Sequence, residues 1–323
     1  PMSRAADVYS LVADIGGTNT RVALAEGPAL LPDTIRKFRN ADYPGLETVL
    51  RDYVAQEDGV DCRAASVAIA GPVRSGSGTL TNLDWTIDEG TLARATKAEY
   101  VAVLNDLEAQ GHALGRLAPE NLREIVPGPD PLPDAPQLVI GVGTGFNVAP
   151  VHFSEGRRLV APSEAGHSNL PLRNEQELRL CKFVATAHGF PAVEDVLSGR
   201  GLARHYDFLG HEANDPRELS AAQIMDQRNH GDARSVEAAR RFARMLGTVA
   251  GNQALIHLPF GGIFLAGGVS RAIAPYLAEY GFLDAFRDKG RFAGFMQNFA
   301  VSVIEDDFDA LPGSAANLAR ISD

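Results

Sequence analysis

"LVADIGGTNTRVALAEG", residues 11–27, begins and ends as an apolar strand, yet its middle holds Asp14, Gly16, Gly17, Thr18, Asn19 and Thr20, with Arg21 directly behind. Two apolar runs joined by a Gly/Thr turn predict a β-hairpin, because glycine supplies the backbone angles that a tight turn needs. This turn also sets a carboxylate at the end of a buried strand, beside backbone that two glycines allow another molecule to approach. Turn N–H groups and the hydroxyls of Thr18 and Thr20 can surround phosphate oxygens, and Asp14 could hold a phosphate-bound Mg²⁺ directly or through water. The plain alternative is a hairpin closed by an Asx turn. Neither the GxxxxGK[ST] P-loop nor the GxGxxG dinucleotide fingerprint describes the segment, since a strand rather than a helix follows the glycines. Arg21 either contacts phosphate or ties the second strand to an acidic neighbour.

The same layout returns in "QLVIGVGTGFNVAPVHF", residues 137–153, where Gly143, Thr144 and Gly145 form the turn. Two hairpins of one form suggest a duplicated core. A third glycine corner, Gly267 and Gly268 in "GGIFLAGGVSRAIAPYLAEYG" (261–281), lies between a strand and a helix N-terminus, where missing side chains would let a flat ring or ribose lie on backbone. Singly each corner fits packing as well as binding. Together, at strand ends of two matching halves, they favour a nucleotide held between domains.

The rest of the chain reads as an α/β mixture. Residues 63–73 form a buried strand bounded by Gly-Pro, residues 43–56 a helix, and 99–114 a strand that runs into Asn105, Asp106 and a helix. Five prolines between Pro127 and Pro136 mark an irregular connection and a domain boundary. Residues 171–258 are mostly helical, and 300–306 form a final strand before a short helix. A net charge of −11 argues against nucleic acid as a partner, and no apolar run reaches the roughly 18 residues of a membrane span. Cys62 and Cys181 are too few for a disulfide framework. With no apolar signal-peptide core in the first ten residues, the cytoplasm is the expected compartment.

Asn105-Asp106, at a strand-to-helix junction, is either an N-cap or a general base that takes a proton from a substrate hydroxyl as its oxygen attacks phosphorus. "PSEAGHSNLP" (162–171) brings Glu164 and His167 together on an irregular loop. A loop histidine is more often a plain hydrogen-bonder than a ligand, and Cys181 alone gives it no zinc partner set. Glu194 in "VEDVLSGRG" fits a first-turn helix acid. Carboxylate, amide and imidazole are nevertheless the groups that bridge adjacent hydroxyls of a sugar.

In this order the motifs resemble bacterial glucokinases of the hexokinase type, within the sugar kinase, actin and heat-shock chaperone superfamily. The resemblance spans nearly the whole chain and rests on "DIGGTNTR" (14–21), "LND" (104–106), "GTGF" (143–146), "SEAGH" (163–167), "EDVLSGRGL" (194–202) and "GGIFLAGGV" (261–269). It implies two ribonuclease-H-like (actin-like ATPase) α/β domains with a cleft between them: residues 1–116, with a C-terminal helix at 308–323 packing back on it, and 117–307. It implies ATP-dependent phosphorylation of D-glucose at the 6-hydroxyl. Asp106 would be the base, and Asn105, Glu164, His167 and Glu194 the other sugar ligands. Asp14 would serve Mg²⁺, Gly16, Gly17, Thr18, Asn19 and Gly143 to Gly145 the phosphates, and Gly267 and Gly268 the adenosine. Family members are usually homodimers. Departures stand at Asn147, Ser163 and Ala165, where the family commonly has glycine, and at Leu107 with Glu108. The zinc-binding cysteine cluster of the repressor/open-reading-frame/kinase group does not occur, which lowers the odds for the fructose and amino-sugar kinases of that group. Other hexoses such as mannose, and a non-catalytic sugar sensor, are the rival readings.

Overall fold

The computed structural model describes residues 8–80, 83–306 and 310–322. Residues 1–7, which carry most of the segment read against a signal peptide, lie outside the described residues, as do 308, 309 and 323 of the expected terminal helix. The chain divides into two compact units, Pro1–Leu117 with Ser154–Pro162 and Asp309–Asp323, and Ala118–Phe153 with Ser163–Phe308.

The first unit opens with β1 (Tyr9–Ile15), β2 (Asn19–Glu26), β3 (Ala29–Leu30), β4 (Arg36–Arg39), α1 (Leu46–Gln56), β5 (Ala64–Ile69), β6 (Val73–Arg74), β7 (Ser77–Thr79), β8 (Thr86–Asp88), α2 (Glu89–Thr96), β9 (Tyr100–Asn105) and α3 (Asp106–Ala113). Its sheet runs β3-β2-β1-β5-β9, with β4 also on β2. β1 and β2 are the antiparallel hairpin, while β5 and β9 run parallel to β1. The expected strand over 63–73 stops at Ile69, and Gly71, at a φ of 150°, turns the chain into a separate small sheet, β6-β7-β8.

The chain continues through β10 (Leu122–Val126), β11 (Gln137–Val142), β12 (Phe146–Ser154), β13 (Arg157–Val160), α4 (Glu175–His188), α5 (Val193–Val196), α6 (Gly199–Glu212), α7 (Ala221–Asn229), α8 (Ala233–His257), β14 (Ile263–Ala266), α9 (Gly268–Ile273), α10 (Phe282–Arg287), β15 (Val301–Ile304) and α11 (Ala310–Ser322). In the second unit the strands run β10-β15-β14-β11-β12. β11 and β12 pair antiparallel, and β14 and β15 lie parallel to β11. Thus β2-β1-β5-β9 and β12-β11-β14-β15 share order and direction, which is the duplication that the two glycine hairpins announced. Residues 154–162, expected in the larger domain, fall instead in the first unit, because β13 packs on α3 and Arg158 donates to the Gly111 carbonyl at 3.4 Å.

Alternation along the first hairpin makes two different faces. Leu11, Ala13, Ile15, Val22 and Leu24 pack with α1 and α2 residues such as Leu50 and Leu92. The other face carries Val12, Ala23, Ala25 and Ala64, which meet Leu311, Ala315 and Leu318 of α11. Small side chains there allow the helix to lie close to the sheet. α11 also meets α3 at Gly313, where a Cβ would stand 1.6 Å from the Ala109 carbonyl oxygen. In the second unit α8, twenty-five residues long, supplies Phe242, Leu246 and Val249 to a core shared with β11, β14 and β15.

Two buried histidines and one glutamate set the acid side of stability. Burial, with Arg320 and Arg158 nearby, pushes His112 down to about 4, and burial does the same to His205, whose Nε2 lies 3.2 Å from the Val196 carbonyl. Glu108 is pushed up to about 7 by burial, against the pull of a hydrogen bond from the Asn105 backbone. Below the ordinary histidine value of 6.5 the unfolded chain takes up protons that native His112 and His205 refuse until about pH 4, so each lowers stability as pH falls, by up to roughly 1.4 kcal/mol per pH unit. Glu108 acts oppositely between 4.5 and about 7, where the native state keeps a proton that the unfolded chain loses. His257, lowered by burial, adds to the histidine side and Glu164, raised by burial, to the carboxylate side, so the histidines keep the larger share. The expected outcome is a denaturation midpoint that falls between pH 6.5 and 4.5, with Glu108→Gln steepening the fall; a flat profile in both chains would refute it. The lowered carboxyls of Asp88, Asp232 and Glu237 act only below that window.

Candidate active site

In the first unit the parallel register aligns Ile15 with Ile69 and Ile69 with Asn105. The Gly16–Thr18 turn and the Asn105-Asp106 junction therefore emerge at the same carboxyl edge of one sheet, where open α/β sheets place their ligands. The turn is shorter than expected, because Asn19 and Thr20 already belong to β2. Gly16 donates to the Asn19 carbonyl at 2.9 Å. Gly16, Gly17 and Thr18 are exposed, while Thr20 is fully buried and its hydroxyl donates to Asn40 Oδ1 at 2.7 Å. That hydroxyl is thus a brace and not a phosphate donor.

Asn40 is the residue that sequence reasoning missed. Its Nδ2 donates to the Gly16 carbonyl at 2.9 Å, its backbone N–H to the Thr18 carbonyl at 2.9 Å, and its Oδ1 accepts from Thr20. One buried residue so fixes both ends of the turn, by its side-chain amide at Gly16 and its backbone N–H at Thr18. Arg21 stands opposite Asp14 across the hairpin and its Nη2 meets Asp14 Oδ2 at 3.0 Å, which gives it the role of tying the second strand to an acidic neighbour.

At the β9–α3 junction the capping task falls on Asn105, whose Oδ1 accepts from the Leu107 N–H at 3.0 Å and whose Nδ2 donates to the Gly71 carbonyl at 2.9 Å. An amide offers two donor hydrogens and two acceptor lone pairs, so each end keeps further capacity. Asp106 is the first residue of α3 and half-buried, and its Oδ1 lies 2.8 Å from the Leu107 nitrogen.

The second unit gathers the other candidates. Glu194 Oε2 accepts from the Phe146 N–H at 3.0 Å, at the end of the Gly143–Gly145 turn. Gly145 leaves that carboxylate its space, since a Cβ there would come within 2.7 Å of Glu194 Oε2. Gly166 is equally required, for its Cβ would meet the Phe146 carbonyl oxygen at 2.1 Å and Glu194 at 3.3 Å. Glu164 Oε2 stands 3.6 Å from His167 Nε2 with both side chains well exposed. Burial raises the Glu164 carboxyl, His167 lowers it and Glu194 raises it again, so the two carboxylates share one electrostatic neighbourhood. Gly267, at a φ of 98°, is the N-cap of α9 and would place a Cβ 2.4 Å from the Val142 carbonyl oxygen. Gly268 N stands 4.0 Å from the Cβ position of Gly143, and Gly199 donates to the Gly143 carbonyl at 2.8 Å. The two glycine corners of this unit therefore face one another, with Thr144 exposed between its glycines.

Three of the departures from the family pattern, Asn147, Ser163 and Ala165, are partners. Asn147 donates through Nδ2 to the Ser163 carbonyl at 2.7 Å, and its Oδ1 accepts from Ser163 Oγ at 3.0 Å and the Ala165 N–H at 3.2 Å. The side chain that replaces one glycine so anchors the segment that lost two others, on either side of Glu164.

Two α/β units with this duplicated topology, each with a glycine turn after its first hairpin strand, define a sugar kinase of the actin-like ATPase class. A family model described as Glucokinase matches residues 11–321. A glucokinase of Chromobacterium violaceum is 35% identical over 312 residues, 96% of this chain and 89% of that protein. A glucokinase of Sinorhizobium fredii is 33% identical over 308 residues, 95% and 91% of the two chains. The crystal structure of a glucokinase from an Antarctic psychrotroph superposes with a TM-score of 0.85 at 29% identity, covering 97% of this chain and 99% of that one. The chain belongs to the glucokinase family, as its motifs implied. Among the described residues no helix is long and apolar enough to cross a membrane.

Proposed function

We propose that this protein is an ATP-dependent glucokinase that transfers the γ-phosphoryl group of ATP to the 6-hydroxyl of D-glucose. The observation that carries the assignment of the base is the sheet edge of the first unit, where Asp106 shares the carboxyl end of parallel strands with the Gly16–Thr18 turn while Asn105 does the capping. Asp106 accepts the hydroxyl proton as O6 bonds to phosphorus and the bond from phosphorus to the bridging oxygen of ADP breaks, giving glucose 6-phosphate and ADP. Asn105, Glu164, His167 and Glu194 hold the sugar hydroxyls in this reading. Backbone N–H groups of Gly17, Thr18 and Asn19 and of Thr144 and Gly145 bind the phosphates in this reading, Gly16 and Gly143 close the two turns beside them through their own N–H groups, and Gly267 and Gly268 lie against the adenosine.

Asp14 fits Mg²⁺ as a single partly exposed carboxylate at the turn, since this ion is commonly held by one or two carboxylates and substrate phosphates, keeping several waters. When bound, the ion supplies neutralisation of phosphate charge. Arg21, on the same carboxylate, orients it. We extend the reading to a homodimer in the cytoplasm, in line with the family resemblance. The test is ADP release measured across glucose, mannose, fructose and N-acetylglucosamine, with and without Mg²⁺. Turnover fastest with glucose is expected; a different preferred hexose would reassign the substrate, and no turnover with any would sink the enzyme reading.

A further inference from the structure

The second unit holds a cavity that none of the candidate site residues lines. Its volume is about 380 Å³, and it lies beside α10 where that helix packs on α8, lined by Arg173, Arg244, Gly281, Asp284, Arg287 and Asp288. Three arginines and two aspartates thus share its lining in a protein whose net charge is −11. One of the three is already committed: Arg173 Nη1 holds Asp288 Oδ2 at 3.0 Å, and its Nε lies 3.7 Å from Glu177.

Arg244 and Arg287 are different. Among the described residues neither guanidinium has a hydrogen-bond or ion-pair partner, and Nε of Arg287 is buried with its N–H unsatisfied. A buried charged donor without an acceptor is unfavourable, and Arg287 is one of the residues that line the cavity. Gly281, at a φ of 87°, keeps the wall beside Arg244 low, since a Cβ there would stand 3.4 Å from Arg244 Nε. Close by, the Lys289 ammonium is lowered by burial and then by the charge of Arg173, with Asp288 pulling it back up, while its Nζ donates to Asn252 Oδ1 at 2.8 Å. Asp284 alone opposes an anion without an arginine of its own.

We propose that this cavity binds a small phosphate oxyanion, inorganic phosphate or a phosphate monoester, between the guanidiniums of Arg244 and Arg287. The planar fork of each side chain matches two oxygens of such a group, and charge-assisted bonds of this kind are the strong ones. The volume lies in the range of small-molecule sites and admits an ester as well as the free ion. The proposal rests on the second unit alone and stands apart from the roles given to Asp106 and the glycine turns.

Calorimetric titration of the full chain at constant ionic strength tests it, with inorganic phosphate in one arm and glucose 6-phosphate in the other. Saturable binding is expected in at least one arm, and the tighter arm tells the free ion from the ester. Arg244 is exposed on α8, so Arg244→Gln should fold normally, weaken binding roughly tenfold or more and leave turnover at saturating substrates unchanged. Asp284→Asn should tighten it. No saturable binding to the parent chain would overturn the proposal. So would equal affinities in the parent and both variants, which would place the phosphate at the glycine turns instead.

Discussion

Asp106→Asn should melt like the parent chain and lose roughly 10²–10⁴ of its turnover with ATP and glucose, the usual worth of a positioned general base. The folding half of this expectation comes from the division of labour at the β9–α3 junction. Asn105 carries the cap and the bond to Gly71, and the substituted amide still offers the Leu107 N–H an oxygen. The catalytic half comes from chemistry, because an amide at that place cannot accept the 6-hydroxyl proton. A coupled assay of ADP release beside a thermal melt separates the two. Unchanged turnover in a folded variant would remove Asp106 from the reaction.

Gly313→Val should cost about 3 kcal/mol or more, through overpacking against atoms that cannot rotate away. The added Cβ would stand 1.6 Å from the Ala109 carbonyl oxygen and 2.5 Å from its carbon, both backbone of α3. Relief requires α11 to lift, which also opens the contact of Leu311, Ala315 and Leu318 with the alanine face of the sheet. A better helix propensity than glycine's offsets well under 1 kcal/mol of this. Chemical denaturation reads the loss directly. A midpoint equal to the parent's would mean that the two helices do not pack as described.

What the residues disclosed in advance follows from range. The hairpins at 11–27 and 137–153 were legible because apolar runs around glycine are local signals, and their likeness gave the duplication that the strand orders bear out. The sheet β6-β7-β8 was hidden, since strands of two or three residues carry no measurable period. Asn40 was invisible for another reason: it braces Gly16 from 24 positions away, and nothing near it marks the turn it serves. Asn147 and Ser163 were visible only as departures from a pattern, because their reciprocal bonds cross 16 positions. Arg21 became intelligible once the register set it opposite Asp14.

The return of α11 to the first unit has a bearing on how the chain is made. That helix follows the whole of the second unit in sequence, yet it covers one face of the sheet begun by residue 9. On the ribosome the amino-terminal half therefore waits, its alanine-lined surface bare, while the later half is synthesised and can already collapse. Domains generally fold in the order in which they emerge, but here the first to emerge is the last to be finished. A polypeptide released before α11 is not half of a working enzyme; it is a first unit with a sticky side.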